Sequence, residues 1–285
     1  MKQMLISTKI SEIREIIREE RKKGKEIALV PTMGYLHEGH LALVKEAKKS
    51  GAFVVMSIFV NPLQFGPNED FDRYPRNIER DARLAEEAGV NLIFNPGVEE
   101  MYPTTNLSTV AVGKLGDCLC GTSRPTHFNG VTTVVSKLFN IVQPDRAYFG
   151  QKDYQQYLII KQVVKDLNFP IEIVPVPIVR ESDGLALSSR NVYLSPEQRQ
   201  EALVLQKSLK AADEWIRQGE RSGSLIEEKI KEMIRGESSG EIDYVELRHP
   251  ETLDRVEMIE DSVLIALAVR FGSTRLIDNK LVEGL

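Results

Sequence analysis

The stretch that decides the fold is Ile27-Ala28-Leu29-Val30-Pro31-Thr32-Met33-Gly34-Tyr35-Leu36-His37-Glu38-Gly39-His40. Its first four residues are an uninterrupted apolar run, the pattern of a strand buried on both faces. A glycine-bearing loop follows, and Leu41, Val44 and Ala47 then recur at helical spacing. Strand, loop and helix in this order are part of a βαβ unit, and the same rhythm continues outward. Upstream, residues 11–23 predict a helix with Ile13, Ile16 and Ile17 on one face. Downstream, 52–60 predicts a second strand, 77–88 a helix and 91–94 a third strand. Helices are then expected over 131–142 and 154–167, and strands over 146–149 and 171–179. Doubly buried strands alternating with helices predict a Rossmann-like, mostly parallel α/β sheet.

The rhythm changes near Arg180. Glu181-Ser182-Asp183-Gly184 is turn-like, and Ser195-Pro196 reads as the cap of a long helix. Two helices are expected beyond it, then strands over 242–247, 263–271 and 274–277, close enough together for a short antiparallel sheet. The expected organisation is an α/β domain over 1–182 and a smaller α+β domain over 183–285.

Composition narrows the class. The 285 residues are 42% hydrophobic and 28% charged, with a formal charge of −5. A broadly polybasic nucleic-acid binder is excluded, although a local basic pocket is not. No apolar run approaches the ~18 residues that signal a membrane span. Charges interrupt the N-terminal stretch before a signal-peptide core could form, so a cytoplasmic location is expected. The two cysteines, Cys118 and Cys120, are too close for an ordinary disulfide framework, and no second pair completes the roughly four ligands of a zinc site.

Four clusters carry chemistry. His37 and His40 are three apart at an expected helix start, which places them on one face. Gly34 and Gly39 permit close approach of a ligand, and a helix N-terminus suits phosphate. A zinc pair or two solvent histidines remain open, although the four-residue spacing of a zincin helix is absent. Asn61-Pro62-Leu63-Gln64-Phe65-Gly66 follows the second strand, where amide side chains can orient a polar ligand or simply make a turn. Gly150-Gln151-Lys152-Asp153 and Gln156 follow a later strand; Lys152 suits phosphate, and Asp153 suits ribose or a helix cap. Leu187-Ser188-Ser189-Arg190 can wrap a triphosphate, a weak signal by itself. Three clusters fall at the carboxyl ends of expected parallel strands, where such sheets bind ligands, and the fourth follows one after a short linker. Neither a GxxxxGK[ST] loop nor a GxGxxG turn is present, so a nucleotide site here lacks both common fingerprints.

His-Glu-Gly-His resembles the HxGH signature of the nucleotidyltransferase superfamily. More narrowly, PTMGYLHEGH, SIFVNPLQFG, YPR, RPTHFNGV, PDRAYFGQKDYQQ and LSSRN, in this order over 31–191, resemble the pantoate–β-alanine ligase family. Leu187 stands where relatives commonly have methionine. The resemblance implies a homodimeric enzyme with a C-terminal lid, joining pantoate and β-alanine with ATP through a pantoyl-adenylate. It implies that Met33 to His40, Gly150 to Asp153, Val179 and Leu187 to Arg190 hold ATP, with His37, His40, Lys152 and Arg190 catalytic. Gln64, Gln156 and Asn61 would hold the substrates. Mg²⁺ would accompany ATP, with Asp81 as a protein contributor beside an ill-suited Arg80. Another adenylyl transferase of the superfamily would want more basic residues, and a trimmed tRNA ligase is poorly matched to a −5 chain. A silent nucleotide sensor would not need the histidines, Lys152 and Arg190 together.

Overall fold

The run that opens the sequence pattern becomes the strand Ile27–Thr32, in a computed structural model that describes residues 4–67 and 69–285. Two compact units are distinguished. The first comprises Met1–Gly116, Arg124–Gln151 and Gln156–Pro177. Its strands are β1 (Leu5–Ser7), β2 (Ile27–Thr32), β3 (Phe53–Ile58), β4 (Leu92–Phe94), β5 (Arg146–Gly150) and β6 (Glu172–Val176). Among the described residues they form a six-stranded sheet in the order β1-β4-β3-β2-β5-β6, and every pairing is parallel. The main helices are α1 (Ile10–Lys22), α2 (Glu38–Lys48), α3 (Ile78–Ala88), α4 (His127–Val142) and α5 (Tyr154–Asp166). Leu29, Val30, Val54, Val55 and Met56 are wholly buried, as a sheet covered on both faces requires. The parallel sheet expected from the sequence is therefore present.

From β2 the chain runs outward through β3 and β4, and it later returns to place β5 on the other side of β2. That reversal makes the β2–β5 boundary the topological switch point of the sheet. The loops after β2, β3 and β5 thus leave from neighbouring strands. β1 was not expected, because it is three residues long and Leu5 and Ile6 are exposed. Helix α4 begins at His127, four residues before its expected start, because its first turn includes the polar His127 and Asn129 and Gly130.

The second unit comprises Asp117–Ser123, Lys152–Gln155 and Ile178–Leu285. Its helices are α6 (Pro196–Arg217) and α7 (Gly223–Glu237). Ser195 caps α6 by accepting from the Gln198 amide, while the Gln198 side chain accepts from the Ser195 amide. The strands β7 (Glu241–Arg248), β8 (Val263–Phe271) and β9 (Thr274–Val282) form the expected antiparallel sheet. Leu205, Leu209, Ile226, Ile230, Ile265 and Leu267 close one core between helices and sheet. β9 extends five residues beyond its expected end at 277. The added residues include the polar run Asp278-Asn279-Lys280, where Asp278 is buried against Arg180, with bonds of 2.6 and 2.8 Å. Asn279 is buried too, and its amide donates to the Lys152 carbonyl at 2.9 Å. Internal partners let these polar residues continue a strand.

Candidate active site

The loop after β2 is held by hydrogen bonds from its own side chains and from α3. Thr32 Oγ1 donates to the Ser57 carbonyl at 2.7 Å and accepts from the Gly34 amide at 3.2 Å. Gly34 and Tyr35 are both left-handed, with φ of 88° and 51°. The following Leu36 is wholly buried. His37 is then extended and caps α2: its Nδ1 accepts from the Gly39 amide at 3.1 Å, and its own amide donates to His40 Nδ1 at 3.3 Å. The two rings lie 4.0 Å apart, centre to centre. A ring nitrogen that accepts an N–H carries no proton, so each neutral imidazole holds its proton on Nε2. The sequence expectation of a histidine pair at a helix start is realised, and the structure adds its tautomer: two Nε2–H donors beside the positive end of α2.

Asn61 and Gln64 follow β3 on the turn Pro62–Gln64 and are both buried. The Asn61 amide nitrogen donates to Gln64 Oε1 at 3.2 Å and to the Gly130 carbonyl at 3.1 Å. Its Oδ1 accepts from the Leu63 amide and from the Tyr102 hydroxyl, at 3.3 and 2.8 Å. Burial pushes the Tyr102 pKa up to about 12, so the phenol stays a donor. Gln64 Nε2 approaches Met33 Sδ at 3.1 Å, which ties this turn to the histidine loop. Gly150 ends β5, Gln151 begins the turn after it, and Gln156 is half-buried in the first turn of α5.

In the second unit, Lys152 and Asp153 belong to the turn Gln151–Asp153, with Lys152 Nζ 4.0 Å from Asp153 Oδ2. The Leu187 amide donates to the Val179 carbonyl at 3.0 Å, and Arg180 and Ala186 form an antiparallel bridge. That small hairpin brings Val179 beside Leu187. Ser188 then caps the turn Ser189–Tyr193 by accepting from the Arg190 amide at 3.2 Å, which fixes the backbone of Ser188, Ser189 and Arg190. Neither Cys118 nor Cys120 forms a disulfide.

Metal ligation finds little support. Among the described residues no group of three or more His, Cys, Asp or Glu could hold a metal ion. Asp81 Oδ1 and Oδ2 already accept from the Leu36 and Tyr35 amides, at 2.8 and 2.7 Å. With both oxygens engaged by the loop backbone, Asp81 does not fit the role of a Mg²⁺ ligand.

Arg124, Glu69, His127 and Gly130 complete the surroundings of Gln64 and were assigned no role from sequence. His127 Nδ1 and Arg124 Nη2 both reach the Gln64 carbonyl, at 2.8 and 3.3 Å. Arg124 also clamps Glu69 through two bonds of 2.6 and 2.5 Å. The RPTHFNGV segment was the available signal, but a side chain aimed at a distant carbonyl leaves no spacing pattern. Burial pushes the Glu69 carboxyl upward, yet the hydrogen bond and charge of Arg124 outweigh it, and the pKa ends below its ordinary value. The pair therefore adds stability that is fully present above the unfolded carboxylate pKa of about 4.3 and is lost as pH falls through the folded value. Glu69→Gln is expected to melt below the parent chain near neutral pH and to converge on it as pH falls through the folded value. A gap that stays constant through a series of melts at decreasing pH would contradict this.

The fold and these loops define a class, a parallel α/β protein with a phosphate-suited histidine loop at the switch point of its sheet. Comparison with known proteins narrows that class, and the chain belongs to the pantoate-beta-alanine ligase family, whose sequence model matches residues 5–281. It is 76% identical to the pantothenate synthetase of Desulfitobacterium hafniense (strain DSM 10664 / DCB-2) over 99% of this chain and 100% of that protein. A crystal structure of the pantothenate synthetase from Thermus thermophilus superposes with a TM-score of 0.92 at 50% identity, covering 97% of this chain and 99% of that one. The Francisella tularensis ligase, solved in complex with beta-gamma ATP and beta-alanine, gives a TM-score of 0.79 at 34% identity, over 98% and 97% of the two chains.

Proposed function

We infer that the chain catalyses ATP-dependent ligation of (R)-pantoate and β-alanine to pantothenate, and that it does so through a pantoyl-adenylate. The observation that carries the adenylate step is the histidine pair: two Nε2–H donors locked by their own helix cap at the positive end of α2. Such donors suit negative charge growing on phosphate oxygens without adding a fixed charge. A pantoate carboxylate oxygen attacks the α-phosphorus of ATP, and the bond to pyrophosphate breaks. The β-alanine amine then attacks the acyl carbon, loses a proton, and expels AMP, which keeps the carboxylate oxygen.

The other roles follow the same reading. Met33 to His40, Gly150 to Asp153, Val179 and Leu187 to Arg190 hold ATP, with Lys152 and Arg190 offsetting phosphate charge. Gln64 and Gln156 hold pantoate, and Gln64, backed by Asn61, also lies against β-alanine. Mg²⁺ travels on the phosphates of ATP. Residues 183–285 act as a lid over a site carried by 1–182, and closure protects an adenylate that water would destroy. The chain works as a cytoplasmic homodimer; no helix among the described residues is long and apolar enough to cross a membrane. Light scattering should return twice the chain mass, and a monomer would refute the dimer.

Labelled pantoate tests the chemistry. With ¹⁸O in the carboxylate, AMP is expected to carry one labelled oxygen. Unlabelled AMP, or release of ADP with labelled phosphate, would exclude an acyl-adenylate.

A further inference from the structure

Asp81 lies on the first turn of α3, is 1% exposed, and faces backbone rather than solvent. Its Oδ2 accepts from the Tyr35 amide at 2.7 Å, and its Oδ1 accepts from the Leu36 amide at 2.8 Å. Those two amides immediately precede His37. Tyr35 is left-handed and Leu36 wholly buried, so without a partner these two amides would be left unsatisfied. Arg80 closes the arrangement from outside: its Nη1 donates to Asp81 Oδ1 at 3.3 Å, and its guanidinium lies 4.9 Å from the centre of the Tyr35 ring. The charge of Asp81 is thus already paired with a cation of the chain itself. The fit is tight, since a β-carbon at Gly34 would stand 3.1 Å from Asp81 Oδ2 and 2.9 Å from Ile58 Cγ2.

We propose that Asp81 is a positioning residue for nucleotide binding, which sets the backbone of the histidine loop through the Tyr35 and Leu36 amides and does not ligate metal. Loop and carboxylate are 45 residues apart in sequence, so α3 carries the rigidity that the loop itself lacks. The cap between His37 and His40 begins one residue past the anchored amides, so its geometry depends on them. This proposal rests on the reading that the histidine loop binds ATP.

The test uses the full chain and Asp81→Asn, which keeps the side-chain shape but turns one acceptor into a donor facing a backbone N–H. In the nucleotide-free parent, amide exchange followed by NMR should show Tyr35 and Leu36 protected. In Asp81→Asn at least one of the two should exchange about tenfold faster or more, as loss of one charge-assisted bond implies. The KM for ATP should rise by about the same factor, while the KM for β-alanine and the Mg²⁺ activation midpoint stay unchanged. A raised Mg²⁺ midpoint, rescue by excess Mg²⁺, and parent-like amide exchange would together make Asp81 a metal ligand and overturn the proposal. Faster exchange with an unchanged KM for ATP would confirm the anchor and refute the ATP reading of the loop. Should Asp81→Asn not fold, Gly34→Ala strains the same contact with the carboxylate intact. It should expose the same amides, and parent-like protection there would overturn the anchor.

Discussion

Replacing His40 with alanine is expected to slow pantoyl-adenylate formation by roughly 10²–10³-fold, the usual cost of removing one donor aimed at developing charge. Attack of β-alanine on preformed adenylate should change little, because charge then leaves the acyl centre with AMP and no new charge builds at the α-phosphorus. The substitution also removes the acceptor for the His37 amide, a loss of about 1 kcal/mol in helix capping. His40→Gln separates the two effects. Glutamine at the third helical position can accept from the capping residue's amide, so stability should return. Adenylation should stay slow, since the imidazole Nε2–H is still missing. Single-turnover measurement of each half-reaction checks this, and equal losses in both would remove His40 from the adenylation step.

Gly130→Ala is expected to lower stability and pantoate binding together. A β-carbon there would fall 2.2 Å from the Leu63 carbonyl oxygen and 2.6 Å from Gln64 Cα. Both obstacles are backbone, so no side chain can swing aside, and α4 must separate from the turn Pro62–Gln64. Overpacking of this kind costs about 1–3 kcal/mol. The same displacement breaks the bond from Asn61 to the Gly130 carbonyl and moves Gln64, Arg124 and His127 apart. A lower denaturant midpoint should therefore accompany a KM for pantoate raised by about tenfold or more, with ATP binding retained. Unchanged stability would show that α4 does not pack on the Gln64 turn as described.

These two residues mark how far the sequence could be read. His40 was legible because a three-residue spacing beside a buried apolar run puts both histidines on one face of a helix start. The central strands were legible for a related reason, since Ile27 to Val30 and Phe53 to Ile58 are buried on both faces and leave an unbroken hydrophobic signal. Gly130 was not, because its importance lies in a distant stretch of backbone, at Leu63 and Gln64. Arg124 and His127 escaped assignment likewise: their common acceptor is a main-chain carbonyl, which has no residue type to recognise. The second half of β9 was hidden by Asp278 and Asn279, whose burial depends on partners at Arg180 and Lys152. Local periodicity carries the elements, while long-range polar satisfaction extends them and builds the site.

The most direct test is pyrophosphate exchange into ATP with purified chain. Exchange is expected only when pantoate is present and without any β-alanine, and adding β-alanine should then release AMP in step with pantothenate. Exchange that needs no pantoate, or none until β-alanine is added, would contradict an adenylate formed before the amine reacts.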